Sequence, residues 1–231
     1  MDKARFRHEL KYVISEKERR ILDTRLQGIM QVDKNGDNGC YMIRSLYFDD
    51  IYKTAYSEKL AGTPARRKYR IRTYNYSDSI IKLECKNKRD NYIYKESATI
   101  TREEYEKIIN EDYGFLLTKN NELCKRFYIE CTTRKLRPVV YVDYDRKTFV
   151  MDAGQVRITF DSHVRAAPAH YDMFDAISPA WECMNNEELI LEVKYTDMYP
   201  DLVKRIISPE YGVFMAVSKF VLCYEKRMEM L

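Results

Sequence analysis

The sequence predicts an α+β fold: a closed, eight-stranded antiparallel β-barrel with helices packed around it. Three observations predict it. Apolar and polar residues alternate over much of the chain, as they do in half-buried strands. Successive strand segments are separated by short turns such as Ser77-Asp78-Ser79 and Arg89-Asp90, which pair neighbours antiparallel. Helical segments fall between blocks of strands and not after each strand, which disfavours a doubly wound sheet.

The elements follow in order. Arg5 to Ile14 alternates as a first strand, with Arg7, Glu9 and Lys11 on one face and Phe6, His8, Leu10 and Tyr12 on the other. Ser15 and Glu18 have capping-box spacing, and Ile21, Leu22, Leu26 and Ile29 give an apolar stripe, so a helix runs to about Met30. After the turn-rich Lys34–Gly39 segment, strands are expected over Tyr41–Asp49, Arg66–Tyr76, Ile80–Lys88 and Asn91–Ile100. Thr101 and Glu104 repeat the capping box and open a helix to about Asn110. A second helical piece spans roughly Lys119 to Cys131. Pro138–Val150 and Gln155–Asp161 are strands six and seven, Val164–Asn186 reads as irregular, and Glu188–Tyr195 is strand eight. A short helix follows Pro200, and a last one spans about Val217–Met230. The whole chain, 1–231, reads as one domain.

The 231 residues are 45% apolar and 33% charged, which fits a folded chain and not a disordered one. Lys and Arg total 40 against 36 Asp and Glu, a net charge of +4. That excess is too small to imply nucleic-acid binding by itself. The six cysteines show no C-x-x-C pair and no histidine spacing that would hold zinc; they read as reduced, packed thiols. With three histidines, carboxylates become the expected metal ligands, and carboxylates favour Mg²⁺ or Mn²⁺. Neither a leader-like apolar segment nor a membrane-length apolar run is present, so a cytoplasmic location is the expectation.

The informative feature is which charges share a strand face. Lys68, Arg70 and Arg72 alternate on one strand, and Lys82, Glu84, Lys86 and Lys88 on the next; Glu9 and Lys11, Arg146, Arg157, and Glu192 and Lys194 occupy equivalent positions elsewhere. A half-buried sheet could simply show such a face to water. Two points argue instead for an enclosed face. Arg and Lys recur at i, i+2 with little Ser, Thr, Asn or Gln among them, and the amphipathic helices need apolar sheet faces to cover. Closing the sheet then turns the charged faces inward. Converging cations repel, by roughly 4 kcal/mol per pair at ~4 Å and an effective dielectric near 20, so such a lumen calls for a highly charged anion. Arg suits bidentate contact with phosphate oxygens, and the few carboxylates suit a hard cation bridging them.

Five motifs then occur in order: Phe6-Arg7-His8-Glu9-Leu10-Lys11-Tyr12, Ser45-Leu46-Tyr47-Phe48-Asp49, Arg67-Lys68-Tyr69-Arg70-Ile71-Arg72, Leu83-Glu84-Cys85-Lys86 and Leu191-Glu192-Val193-Lys194-Tyr195. Together, over about Arg5 to Tyr224, the chain resembles the VTC domain, the catalytic domain of polyphosphate polymerases, within the triphosphate tunnel metalloenzyme superfamily. The resemblance implies catalytic, triphosphate-gripping roles for Arg70, Arg72, Lys86 and Arg157. It implies substrate binding for Lys11, Arg146, Lys194 and Lys219, and metal binding for Glu192, with Glu9 and Glu84 as further candidates. For the last two a salt bridge to neighbouring cations is an equal alternative. Relatives often carry a second lysine one turn before Lys219; here Ala216 stands in its place.

The activity so implied is metal-dependent transfer of the ATP γ-phosphate to a growing polyphosphate chain, with Mn²⁺ or Mg²⁺ as cofactor. ATP and triphosphate or polyphosphate are the expected partners, without nucleic acid and without an obligate protein partner. The alternatives are a tripolyphosphatase or nucleoside triphosphatase, and a non-catalytic polyphosphate-binding module.

Overall fold

The computed structural model describes residues 8–89, 92–196, 198–207 and 211–230. The expected first-strand start at Arg5, the face position of Arg7 and the strand start at Asn91 lie outside these residues.

Local chemistry accounts for most of the elements. Strand β1 (His8–Ser15) ends where Ser15 caps helix α1 (Glu16–Gln27): Ser15 Oγ accepts from the Glu18 amide at 3.2 Å, and Glu18 Oε2 accepts from the Ser15 amide at 2.6 Å. Leu22 and Leu26 are the buried face of α1. Strands β2 (Gln31–Val32) and β3 (Cys40–Asp49) lead to α2 (Thr54–Leu60), where Asp49 and Asp50 accept the orphan amides of the first turn. Strands β4 (Ala65–Tyr74), β5 (Ser77–Arg89) and β6 (Tyr92–Ile100) form a meander. A second capping box, Thr101 with Glu104, opens α3 (Arg102–Ile109); Asn121 caps α4 (Glu122–Thr133). Then come β7 (Arg137–Met151), β8 (Val156–Pro168), β9 (Trp181–Glu182), β10 (Glu188–Tyr195), α5 (Asp201–Ile206), β11 (Val213–Phe214) and α6 (Lys219–Glu229).

The sheet is antiparallel, in the order β11-β1-β10-β8-β7-β3-β4-β5-β6, with β2 on β7 and β9 on β8. The expectation of an eight-stranded closed barrel is not met: among the described residues the sheet has 11 strands and hydrogen bonds do not close it. The edge of β1 that a barrel would offer to β6 is taken by β11, through Tyr12 and Val13, and by the Met215 amide, which donates to Lys11 O. The seam is bridged by side chains instead. Lys86 on β5 meets Glu9 on β1 at 3.0 Å, although the two strands lie at opposite ends of the sheet order. The sheet is therefore strongly curled, with the charged face inside. Gly212 makes the β11 contact possible: its φ is +73°, and a Cβ there would strike Ile14 and Val13.

One further expectation is corrected, and one helix was not foreseen. The segment after Asp161 is not irregular at first: β8 continues to Pro168, past a register shift opposite Asp143/Asp145 and past His163, whose φ is +50°. That bulge resets the alternation and hides the strand from a period-2 reading. Helix α2 lacks a sequence signal because its N-cap, Lys53, is left-handed and makes no side-chain cap.

The outer face is apolar and covered by helices. Leu46, Phe48, Tyr69, Ile71, Leu83 and Cys85 pack with α3 and α4, and Ile158, Phe160, Leu191 and Val193 pack with α1 and α5. The inner face divides. Part of it, Ile43, Val140, Val142, Val164, Ala166 and Ile190, is apolar and clusters with Phe220, Cys223 and Tyr224 of α6. The rest is charged. Within the outer layer, Arg44 and Asp143 form a fully buried cross-strand pair at 2.8 Å, with Arg44 Nη1 donating to the carbonyls of Asp172 and Asp175.

Candidate functional site

Cross-strand register places the predicted residues on one face. Arg70 is opposite Glu84 and Tyr47, Arg72 opposite Lys82 and Ser45, Arg146 opposite Asp161, Thr159 opposite Glu192, and Glu192 opposite Lys11. Directly paired antiparallel residues project to the same side, so all line the inner face.

Glu192 is the hub. It is 4% exposed and lies 3.3 Å from Lys11, 2.6 Å from Lys194, 2.9 Å from Lys219 and 3.7 Å from Arg146. Lys194 also reaches Glu9 at 3.4 Å, and Glu9 holds Lys86. Arg146 and Lys219 share Asp161 at 2.6 and 2.5 Å. Seven of the predicted residues, Glu9, Lys11, Lys86, Arg146, Glu192, Lys194 and Lys219, thus form one network. Burial alone would raise Glu192 and Glu9, but the surrounding ammonium and guanidinium groups outweigh it and hold both carboxyls well below their usual range.

Arg70 and Arg72 form a second group. Arg70 is clamped by Glu84 at 2.6 Å and by Tyr47 OH at 2.9 Å, and Lys95 holds the other Glu84 oxygen at 2.6 Å. Arg72 has no carboxylate within salt-bridge distance among the described residues; its donors reach Ser45 Oγ and Tyr144 OH, both at 3.0 Å. Arg157 stands apart from both groups, bound to Asp33 at 2.9 Å and Tyr41 OH at 3.0 Å.

Asp161, Asp33, Lys95 and the hydroxyls of Ser45, Tyr47 and Tyr144 were not among the predicted site residues. Asp161 shares the parity of Arg157 and Thr159, so alternation carried a signal for it. Asp33 lies in a loop and had none.

The cations are not fully balanced. Lys68 has no ion pair among the described residues; its Nζ contacts Ser218 Oγ at 3.4 Å and lies over the Phe220 ring. Burial, with Lys59, Lys86 and Arg66 near, pulls it far below the ordinary lysine range. Lys86 is brought down to about 8, by loss of water first and by Lys11 and Lys194 next, although its side chain is still 39% exposed and Glu9 opposes the shift. The sign follows. A lysine depressed in the folded protein opposes folding increasingly as pH falls from its ordinary value of 10.5 toward 8, and levels off below. A bound polyanion reverses the depression, so binding takes up protons in that window. Calorimetry of triphosphate binding at about pH 9, in buffers of differing ionisation heat, should show net proton uptake that Lys86→Met reduces.

A divalent cation fits the Glu9–Glu192 region by its donor chemistry. Both carboxylates already converge on one positive charge, Lys194 Nζ, and Thr159 Oγ1, cross-strand from Glu192, is buried without a hydrogen-bond partner. Among the described residues no three His, Cys, Asp or Glu side chains converge as a ligand group, so phosphate oxygens would have to complete the shell. No helix among the described residues is long and apolar enough to cross a membrane.

Comparison with known proteins agrees with this architecture. A search of curated proteins returned no match. Among solved structures, a protein of Bacillus halodurans described as "a putative adenylate cyclase" superposes with a TM-score of 0.52 at 11% identity, covering 84% of this chain and 82% of that one. At such identity the likeness is one of fold. The PH1819 protein of Pyrococcus horikoshii OT3 gives 0.48 at 14% identity, covering 96% and 99%. The VTC-domain family profile matches residues 6–227, nearly the whole chain. The chain belongs to the VTC-domain family.

Proposed function

We propose that this protein is a polyphosphate polymerase that transfers the γ-phosphate of ATP to the end of a polyphosphate chain lying in the charged concavity. The observation that carries this reading is the convergence on one inner face of Arg70, Arg72, Lys68, Lys86 and the Glu192 network, with Arg72 and Lys68 lacking carboxylate partners among the described residues. Arg70 and Arg72, oriented by Tyr47, Ser45 and Tyr144, would hold the equatorial oxygens of the transferred group. Lys11, Lys194 and Lys219 would bind neighbouring phosphates after exchanging Glu192 for them. Mg²⁺ or Mn²⁺, when held by Glu192 with Glu9, would supply charge neutralisation between phosphates. An oxygen of the acceptor's terminal phosphate attacks the γ-phosphorus, the bond to the β–γ bridging oxygen breaks, and ADP leaves.

The acceptor is already an anion, so the reaction needs no general base. Hydrolysis would call on a carboxylate such as Glu9 or Glu84 to position the water, and both make weak bases: despite burial, Glu84 is held far below its usual range by Arg70, Arg72 and Lys95, and Glu9 by its lysines. Use of ATP also fits a cytoplasmic setting. Incubation with ATP and Mn²⁺ should yield a ladder of growing polyphosphate on a gel. Orthophosphate release without chain growth would establish the hydrolase instead. Arg72→Ala should weaken ATP and triphosphate binding by about 1.5–3 kcal/mol, roughly 10- to 150-fold, through loss of charge-assisted donors. Unchanged affinity by titration at low salt would remove Arg72 from the site.

A further inference from the structure

We propose that Cys183 and Cys223 form a redox-modification site, in which a hydroperoxide oxidises Cys183 and Cys223 resolves it into an intrachain disulfide that fastens helix α6 to the sheet. The two sulfurs lie 3.6 Å apart across 40 positions of sequence. Closure to a disulfide requires them to approach by about 1.5 Å more. Both partners are anchored. The Cys183 amide donates to Val164 O at 2.7 Å, beside the β8–β9 pairing, and Cys223 Sγ contacts Arg165 O at 3.4 Å.

The roles of the two thiols follow from access. Cys223 is completely buried, whereas Cys183 is half-buried and lines a shallow, open cleft of about 350 Å³ with Glu182, Leu222, Glu225, Lys226 and Glu229. A small hydroperoxide fits there. Of the other cysteines, Cys85, Cys124 and Cys131 are fully buried and Cys40 is exposed, and none contacts a second sulfur among the described residues. The contact between the two sulfurs favours the Cys183 thiolate, while burial keeps Cys223 protonated.

The chemistry balances. Cys183 thiolate attacks one oxygen of hydrogen peroxide, the O–O bond breaks, and hydroxide leaves and takes up the proton that Cys183 released, as water. The sulfenic acid on Cys183 is then attacked by the Cys223 sulfur; the S–S bond forms, the S–O bond breaks, and the hydroxyl leaves as water with the Cys223 proton. Two thiols lose two electrons, and one peroxide becomes two waters.

Cys223 lies one helical turn after Lys219, which bonds Glu192 and Asp161. The disulfide therefore ties down the helix that delivers this lysine to the inner face.

The test treats the intact protein with hydrogen peroxide, blocks remaining thiols, and maps peptides by mass without reduction. The expected product is a Cys183–Cys223 crosslink, lighter by two hydrogens and reversed by a dithiol. Its formation should slow amide exchange in α6 on the order of tenfold. Cys223→Ala should instead accumulate sulfenic or sulfinic acid at Cys183, trappable by dimedone, and Cys183→Ser should yield neither product. Oxidation confined to Cys40, or sulfinic acid at Cys183 in the unsubstituted protein without a crosslink, overturns the proposal. None of these readouts depends on polymerase activity, so failure here leaves the proposed function standing, and the reverse holds too.

Discussion

Glu192→Gln protein is expected to lose nearly all metal-dependent ATP turnover while binding triphosphate without metal as tightly as the unsubstituted protein, or more tightly. The substitution keeps shape and removes one negative charge from a buried point that four cations share. A carboxylate among phosphates repels them unless a cation intervenes, so its loss favours the bare polyanion and disfavours the metal complex. Without ligand, the variant should be less stable. Lys219 and Arg146 retain Asp161 and Lys194 retains Glu9, but Lys11 keeps no salt bridge among the described residues. Removing one partner of a buried ion pair costs about 3–5 kcal/mol. Triphosphate at 100 times its dissociation constant should return about 2.7 kcal/mol. Acid behaviour adds a check. A carboxyl held below its ordinary value of 4.5 stabilises the fold above that pH and ceases to as pH falls through its folded value, so the acid limb of stability should flatten in the variant. Thermal melts and turnover measured on the same sample decide the matter. Activity that falls only in step with folded fraction would make Glu192 a structural residue, and full activity would remove it from the mechanism.

Asp143→Asn should produce the largest loss of stability without touching the inner face. Arg44 is fully buried against Asp143, with its remaining contacts made to carbonyl oxygens and to the faces of Tyr76 and Tyr141. Neutralising the carboxylate leaves a guanidinium uncompensated, again at about 3–5 kcal/mol, or a fall in Tm on the order of 10 °C. Triphosphate affinity of the folded variant should be unchanged, because the pair lies in the outer layer. A melting temperature within a degree or so of the parent would show that the surrounding dipoles suffice to hold Arg44.

The contrast between these two carboxylates marks how far the chain could be read in advance. Alternation is a local property, so the face shared by Arg70, Arg72, Lys86 and Glu192 was legible from spacing. So were both capping boxes, at Ser15 and Thr101. Closure is not local: whether β6 meets β1 depends on β11, a two-residue strand with no periodic signal of its own. The bulge at His163 broke the alternation that would have carried β8 onward to Pro168, and helix α2 begins at an uncapped Lys53. Within the site, the charged residues of the matched motifs were found, whereas the strand residues Asp161, Lys95, Ser45, Tyr47 and Tyr144 and the loop residue Asp33 were not. Arg157 was identified but its partner Asp33 was missed. Glu192 was read as a metal ligand from its motif, whereas its four cationic neighbours emerge only when β1, β7, β10 and α6 are brought together.

The carboxylates of the inner face also make the empty protein its own competitor. Glu9, Glu84, Asp161 and Glu192 already contact most of the cations a phosphate chain would meet, without balancing their charge, so binding is largely an exchange of partners, and affinity is the difference between two sets of contacts. An anion that reaches one cation, such as chloride or orthophosphate, replaces a well-placed carboxylate with a worse one and gains little. A linear anion that reaches several cations pays its ordering cost once and displaces several carboxylates together, and those carboxylates become free to take up a divalent cation. On the proposed function, selectivity for long, densely charged chains over simple anions, and mutual reinforcement between chain and metal, would follow from this resting charge arrangement.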